Sequence, residues 1–272
     1  MSDDFVYAPV DGLAVALEGS ILRLTLSRPE KRNAIDDTMM TAMIDALDHA
    51  GRDDAVRAIV LAGEGGHFCA GADIVARNSG SGERPRVGSI QRRVPSLAHR
   101  LIPLITTVQV PVVCAVQGWA AGIGFQLALA ADFTIAADDA RFWEPFVERG
   151  FTPDSGATWL LPRLVGPVRA RELLLLGRQL SGVEAAQWGV VHRAVAAADV
   201  ASEVDALAGS LASGASVAIG LTKWLLQSGA DSSLESHLRD EAFALELSSR
   251  SEDFREGLRA FRDKRPPEFT GR

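Results

Sequence analysis

From Leu101 to Ala131 the chain carries no charged side chain. A run of that length must either cross a bilayer or lie inside a folded core. Pro103, Pro111, Gly118, Gly122 and Gly124 break it, and Gln109, Gln117 and Gln126 put amides into it. These breakers favour a buried strand, turn and helix over a membrane span. Other apolar runs fit the same picture. Ile21–Leu26 alternates loosely, as a strand buried mostly on one face does. Ala58–Gly63, Pro111–Val116 and Phe133–Ala136 are short apolar strands. Asp36 or Asp37 is placed to cap a helix through Ala50, with Met40, Met43, Ile44 and Leu47 on one stripe. A second helix is expected from about Gly122 to Ala131. Strands alternating with helices predict an α/β fold with mainly parallel connections.

The 272 residues suit one large domain, or a core with an appendage. After Val200 the strand signals stop, and three or four amphipathic helices are expected, broken near Ser213-Gly214 and Ser228-Gly229. The division is therefore an α/β core over residues 1–200 and a helical region over residues 201–272. The polar, glycine-rich stretch between Arg77 and Arg93 reads as a surface loop or substrate lid.

Composition removes several functional classes. Hydrophobic residues make up 47% and charged residues 23%, as in soluble globular proteins. A net charge of −7 gives no electrostatic support for coating nucleic acid. Cys69 and Cys114 are too few for a disulfide framework and lack metal-ligand spacing, and the histidines form no metal pair, so no metal is expected. The acidic start Met1-Ser2-Asp3-Asp4-Phe5 has no apolar core and is not a signal peptide. A cytoplasmic protein without membrane or nucleic-acid partners is expected. Among 28 basic residues only Lys31, Lys223 and Lys264 are lysine.

Three glycine-containing turns each follow an apolar strand: Gly66–Ile74, Gly118–Gly124 and Gly150–Gly156. Small residues there let the backbone approach a ligand and let free N–H groups point into a cleft. Helices starting near Ile123 and Ser155 would add positive dipole ends. Each turn alone is an ordinary feature of α/β proteins; their order makes them specific.

Ser27-Arg28-Pro29-Glu30-Lys31-Arg32-Asn33-Ala34-Ile35 resembles the N-terminal signature of the crotonase (enoyl-CoA hydratase/isomerase) superfamily. Phe68-Cys69-Ala70-Gly71-Ala72-Asp73-Ile74 and Gln117-Gly118-Trp119-Ala120-Ala121-Gly122-Ile123-Gly124 resemble its two oxyanion turns. Leu161–Gly166 and Phe261–Arg265 resemble later landmarks. The resemblance runs from about Ile21 to Arg265. It implies a spiral of ββα units with a C-terminal helical region that builds trimers or hexamers, and an acyl-CoA thioester substrate, with CoA as part of the substrate and no separate cofactor. By position, the Ala72 and Ile123 N–H groups would hold an enolate-like thioester oxygen, shaped by Gly71, Gly122 and Gly124. Arg28 and Lys31 would face the CoA phosphates. Ala70, Asp73 and Ile74 would line the adenine pocket, and Phe261 and Lys264 would reach the CoA of the same or a neighbouring subunit. Lys223 receives no role.

The sequence departs from a hydratase. The two glutamates of the family's hydratases fall on Gln126 and Phe146, neither of which exchanges protons. Asp154 resembles in position an acidic residue used as base by isomerase-type members. Double-bond migration needs one such base, and Phe142, Trp143 and Phe146 would give it apolar surroundings. Asp154, ahead of Ser155-Gly156-Ala157, would equally serve as a helix cap. Glu144 and Glu148, flanking Phe146, are read as surface or subunit-contact charges off the pocket face. The reading is an enoyl-CoA isomerase. The alternatives are a hydratase, other enolate chemistry on a cyclic acyl-CoA, or a CoA-ester-binding scaffold without catalysis.

Overall fold

The computed structural model describes residues 6–73 and 86–272. Among these, six strands form one sheet in the order β1-β2-β3-β4-β6-β9 and three form another in the order β5-β7-β8. The first sheet contains β1 (Leu13–Glu18), β2 (Ile21–Leu26), β3 (Ala58–Gly63), β4 (Val112–Val116), β6 (Phe133–Ala137) and β9 (Arg193–Val195). The second contains β5 (Trp119–Ala121), β7 (Arg141–Trp143) and β8 (Leu180–Ser181). Only the β1/β2 hairpin and the β7/β8 pair are antiparallel; β2-β3-β4-β6-β9 and β5-β7 run parallel.

Parallel strands need long crossovers and are covered on both faces, so they read as unbroken apolar runs. β3 and β4 are buried at nearly every position, whereas β2 alternates between buried and half-buried residues. The crossovers are helical. Between β2 and β3 lies α1 (Asp37–Ala50), whose Asp36 carboxylate accepts the Met39 N–H at 2.9 Å as its N-cap. Its Met40, Met43, Ile44 and Leu47 stripe is buried, as the periodicity predicts. Helix α2 (Ala98–Thr107) precedes β4, and α3 (Ile123–Ala130) follows β5. The uncharged run thus becomes α2, β4, β5 and α3. All eight residues of α3 are buried. Among the described residues no single helix is long and apolar enough to cross a membrane.

The unit β4-β5-α3 is followed by β6-β7-α4, with α4 covering Ala157–Leu176. β4 pairs with β6 in one sheet and β5 with β7 in the other, so successive ββα units stack in register as a spiral. The landmark Leu161–Gly166 is where α4 breaks: Gly166 sits at φ 75° and ψ 165°, and Pro167 follows. Helix α5 (Gly182–Trp188) leads into β9.

The last four helices are α6 (Val200–Ala212), α7 (Ser216–Gly229), α8 (Leu234–Ser248) and α9 (Glu252–Asp263). The expected division after residue 200 falls at the start of α6. That helix is part of the core: Val200, Val204 and Ala208 join the main apolar cluster, and α6 packs on β2, β3, β4 and β6. The helical region away from the sheet therefore begins at α7. Lys223, on α7, is buried. Its Nζ donates to Ile105 O at 2.9 Å and Val110 O at 3.1 Å, and lies 2.7 Å from Asp132 Oδ2. This one ammonium fastens the C-terminal helices to α2, β4 and the end of α3.

Candidate active site

Two chain turns and strand β7 lie side by side. Phe68 N–H donates to Gln117 O at 2.7 Å, Cys69 N–H to Trp119 O at 2.8 Å, and Ala121 N–H to Cys69 O at 2.9 Å. Gly122 N–H then donates to Trp143 O at 3.0 Å, and Arg141 N–H to Gly118 O at 2.7 Å. This lacing sets residues 68–72 beside 117–122 and those beside 141–143. Glycine is required at two places in it. A Cβ on Gly118 would lie 2.1 Å from Gly66 O, and one on Gly124 would lie 2.5 Å from Cys69 O. Gly122, at φ 52°, ends β5 and starts α3; its would-be Cβ is 3.9 Å from Gly71 Cα. The two expected oxyanion turns are thus in contact.

Neighbouring amides in these turns have acceptors. Ala70 N–H donates to Arg32 O, Asp73 N–H to Ile35 O and Gly122 N–H to Trp143 O. Among the described residues, no backbone acceptor takes the Ala72 N–H or the Ile123 N–H. Ala72 is held by its bridge to Ile35, and Ile123 is the first residue of α3, where helical N–H groups lack partners within the helix. Two fixed donors with no backbone acceptor among the described residues, at a glycine-lined junction and one on a helix N-terminus, suit an oxygen that gains negative charge.

Around this junction the structure places the remaining expected residues unevenly. The Phe146 ring carbon Cζ lies 3.8 Å from the would-be Gly122 Cβ, and Phe146 packs edge-on against Phe151. Trp143 is half-buried, donates Nε1–H to Gly177 O at 3.1 Å and sits beside Trp119. Phe142 packs on Phe125 in the core, so it does not wall the site. Asp154 lies in the turn before α4 and is exposed, not enclosed by apolar walls. It does not cap α4 through its side chain: the cap residue is Gly156, with no side-chain bond, and the Asp154 carboxylate accepts the Ser155 hydroxyl at 3.0 Å. Ser155 is buried at φ 53°, a left-handed conformation costly for a residue with a side chain.

Glu144 departs from the surface position expected of it. It is 1% exposed, not a surface charge. Glu144, Pro145 and Phe146 are buried in a row just after β7. Glu148 is exposed, as expected. Gln126, also buried, donates Nε2–H toward both Glu144 oxygens at 3.4 and 3.3 Å. Burial drives the Glu144 carboxyl well above the usual carboxylate range; the Gln126 bond opposes that and the nearby Asp154 charge adds to it.

The expected CoA contacts sort into two kinds. The Arg28 guanidinium is turned inward, donating to Ala34 O, Asp36 and Asp73 with its side chain 12% exposed, so it is committed to holding the loop rather than facing solvent. Lys31 is 49% exposed, with Nζ 3.3 Å from Asp73 Oδ2. Asp73 is buried between these two cations, and Ala70 is half-buried. Ile74 lies outside the described residues, as does most of the expected loop between Arg77 and Arg93. Phe261 and Lys264 are exposed at the end of α9. Among the described residues no group of three or more His, Cys, Asp or Glu is arranged to hold a metal. Cys69 is fully buried beneath Gly124, which pushes its thiol up to about 12 and leaves it inert as a nucleophile.

One organiser carries no signal of its role in the sequence motifs. Asn33, buried at φ 57°, donates Nδ2–H to Glu64 O at 2.9 Å and His67 O at 2.7 Å, and accepts Arg28 N–H at 2.8 Å. It ties the Arg28 loop to the strand end that leads into Ala72. Two consecutive left-handed residues, Arg32 and Asn33, mark the spot. Asparagine tolerates that conformation better than most, which is the one hint its residue type offers.

Residues 16–272 match the family profile described as Enoyl-CoA hydratase/isomerase. The chain belongs to that family. It is 41% identical over 258 residues to a 1,2-epoxyphenylacetyl-CoA isomerase of Escherichia coli (strain K12), covering 94% of this chain and 97% of that protein. It is 40% identical to a probable enoyl-CoA hydratase of Rhodobacter capsulatus, covering 98% and 97%. The crystal structure of a putative enoyl-CoA hydratase from Streptomyces coelicolor A3(2) superposes with a TM-score of 0.90 at 33% identity, covering 100% of both chains. The protein is therefore an acyl-CoA enzyme of the crotonase fold.

Proposed function

We propose that this enzyme moves a carbon–carbon double bond in an enoyl-CoA. The Ala72 and Ile123 N–H groups hold the thioester oxygen. Asp154 removes a proton from the carbon next to the thioester of a 3-enoyl-CoA. The electron pair moves onto the thioester oxygen as a dienolate, and Asp154 returns the proton two carbons further on to give the 2-enoyl-CoA. The observation that carries the reading is the pair of laced turns, whose two amides have no backbone acceptor among the described residues, beside neighbours that do. It is supported by Asp154 having a carboxylate not used as a helix cap. It is also supported by the absence of a carboxylate at positions 126 and 146, where hydration would need two. Lys31 and Lys264 are assigned to the CoA phosphates. Phe261 is assigned to the CoA of a neighbouring subunit in a trimer or dimer of trimers. The solvent-facing Phe243, Leu245 and Leu258 on α8 and α9 support such an assembly.

The test is turnover of 3-enoyl-CoA and 2-enoyl-CoA panels by the wild type and Asp154→Asn. Isomerisation is expected to fall at least about a hundredfold on substitution, the scale of a general base. Full activity in the Asn variant excludes Asp154 as the base, and rapid hydration by the wild type excludes the argument from the missing glutamates. A second reading, enolate chemistry on a ring-bearing acyl-CoA, is favoured by the likeness to the epoxyphenylacetyl-CoA isomerase. Including aryl-acetyl epoxide thioesters in the panel separates the two.

A further inference from the structure

The proposed reaction uses one carboxylate, yet the site contains two carboxyl groups. Glu144 directly follows Trp143, whose carbonyl fixes the Gly122 amide and hence the oxyanion turn. Its partner Gln126 lies one helical turn beyond Ile123. Both side chains are buried, at 1% and 0% exposure.

The hydrogen bonding between them is incomplete if Glu144 is ionised. Gln126 Nε2 faces both carboxylate oxygens, and Gln126 Oε1 is buried with no partner. A carboxylate has no proton to offer that oxygen. Exchanging the two ends of the amide does not help, because it would set a carbonyl oxygen against an anion. No cation answers the charge either: among the described residues, no lysine, arginine or histidine forms an ion pair with Glu144. The charged groups on the elements around it are few. Helix α3, β5 and β8 carry none. Arg141 is exposed at the far end of β7. Arg149 lies over the Trp143 ring, 5.6 Å from its centroid, and Glu148 is turned toward Gly177. Asp154, in the turn before α4, acts on Glu144 as a like charge. An unpaired buried carboxylate facing one amide is strongly unfavourable.

One added proton removes the conflict. A carboxylic acid and a primary amide form a cyclic pair, in which the acid O–H donates to Oε1 and Nε2–H donates to the other carboxyl oxygen. Only the amide's terminal torsion, which is broad, has to turn. We propose that Glu144 is a neutral carboxylic acid locked to Gln126, a positioning residue that holds the Trp143–Gly122 junction behind the oxyanion turn while adding no second negative charge to it. The pressure that burial puts on the carboxyl agrees with this. The inference rests on the isomerase reading for its effect on turnover but not for the protonation state.

Two measurements on the intact enzyme test it. Infrared difference spectra near pH 7.5 between the wild type and Glu144→Gln should show a protonated-carboxyl C=O band that only the wild type has. In the wild type alone, that band should disappear as the pH is raised. A spectrum with no such band means that Glu144 is ionised and overturns the proposal. For turnover, Glu144→Gln keeps a neutral partner for Gln126. It should retain kcat within about threefold near neutral pH with unchanged KM and lose the wild type's alkaline decline. An alkaline limb identical in both proteins overturns the positioning role. Should Glu144→Gln fold poorly, infrared titration of the wild type labelled with carbon-13 glutamate decides the same question. If no enoyl-CoA is turned over, the isomerase reading fails, while the infrared band still decides the state of Glu144.

Discussion

Gly124→Ala isolates the geometry on which the oxyanion site depends. Gly124 is the second residue of α3, and its backbone is open to alanine, which as a helix former would gain about 1 kcal/mol over glycine. Sterics set the opposite sign. The new Cβ would lie 2.5 Å from Cys69 O, 2.6 Å from Cys69 Cβ and 2.9 Å from Cys69 Sγ, and the closest of these contacts must open beyond 3.0 Å. The first obstacle is backbone, held at 2.9 Å by Ala121 N–H, so it cannot swing aside as a side-chain tip would. The strain therefore separates residues 69–72 from α3, which are the segments carrying Ala72 and Ile123. Overpacking of this kind costs about 1–3 kcal/mol of stability. For a chain of this size that is a fall in Tm of roughly 2–12 °C. A displacement of about half an ångström at a preorganised donor pair should lower kcat by about tenfold to a hundredfold, or ~1.4–2.7 kcal/mol, with KM changed less. The assay is steady-state turnover on the best enoyl-CoA beside a thermal melt. Gly66→Ala serves as control, because a Cβ there meets nothing within 4 Å. A Gly124→Ala enzyme with wild-type kcat would refute the claim that the two turns are held at contact distance to place their amides.

Other perturbations test separate parts of the structure. Lys223→Met leaves Asp132 partly buried without its cation; a loss of ~3 kcal/mol is expected, and adding Asp132→Asn should recover part of it in chemical denaturation. Lys31→Met should raise the KM for acyl-CoA severalfold with little change in Tm, whereas Arg28→Met should lower Tm, because its guanidinium holds Asp36 and Asp73; equal effects would contradict this division. Glu256 is held down to about 2, first by Arg265 and then by the Glu268 N–H. Because its folded-state value is depressed, its contribution is present above the ordinary glutamate range near 4.5 and is lost as pH falls toward 2. Hydrogen exchange in residues 265–272 should therefore quicken between those pH values in the wild type. In Glu256→Gln it should be quick throughout.

Much of the scaffold was legible because its causes are local. The apolar runs at 58–63 and 112–116 became parallel strands, and the Asp36 cap started α1 where the stripe of methionines begins. The expected breaks near Ser213-Gly214 and Ser228-Gly229 separate α6, α7 and α8, while the break between α8 and α9 at residues 249–251 was not legible. The strands of two or three residues, β5, β7, β8 and β9, were not legible. They have too little sequence to show a period and exist through their partners. The membership of α6 in the core was hidden for a related reason: its buried stripe looks the same whether it meets a sheet or another helix. Arg28 sits in a motif that resembles a phosphate-facing signature, but sequence does not show that Asp36 and Asp73 converge on it. The burial of Glu144 was not legible either, because the chain leaves the strand at Trp143 and turns helical at Phe146, so no strand period covers it. Sequence also withheld the partner: Gln126, on α3, meets the Glu144 carboxyl where β7 ends at Trp143.

The burial of Glu144 bears on the charge balance of the proposed reaction. When Asp154 takes a proton from carbon, its negative charge disappears as an equal charge appears on the thioester oxygen. The site then carries one negative charge at every stage, moved from a carboxylate to the two amide donors. Preorganised dipoles suit this transfer because the total charge they face does not change. An ionised Glu144 would add a second, fixed negative charge to that site. It would oppose the oxyanion from a buried position behind the same turn, where a low effective dielectric strengthens the repulsion. In a hydratase a second carboxyl group must exchange a proton with water and therefore needs access to it. Glu144 is buried against Gln126 and has no such access. In the proposed isomerase, the burial that keeps Glu144 neutral also keeps it from serving as the second carboxyl group of a hydration, even though two carboxyl groups are present.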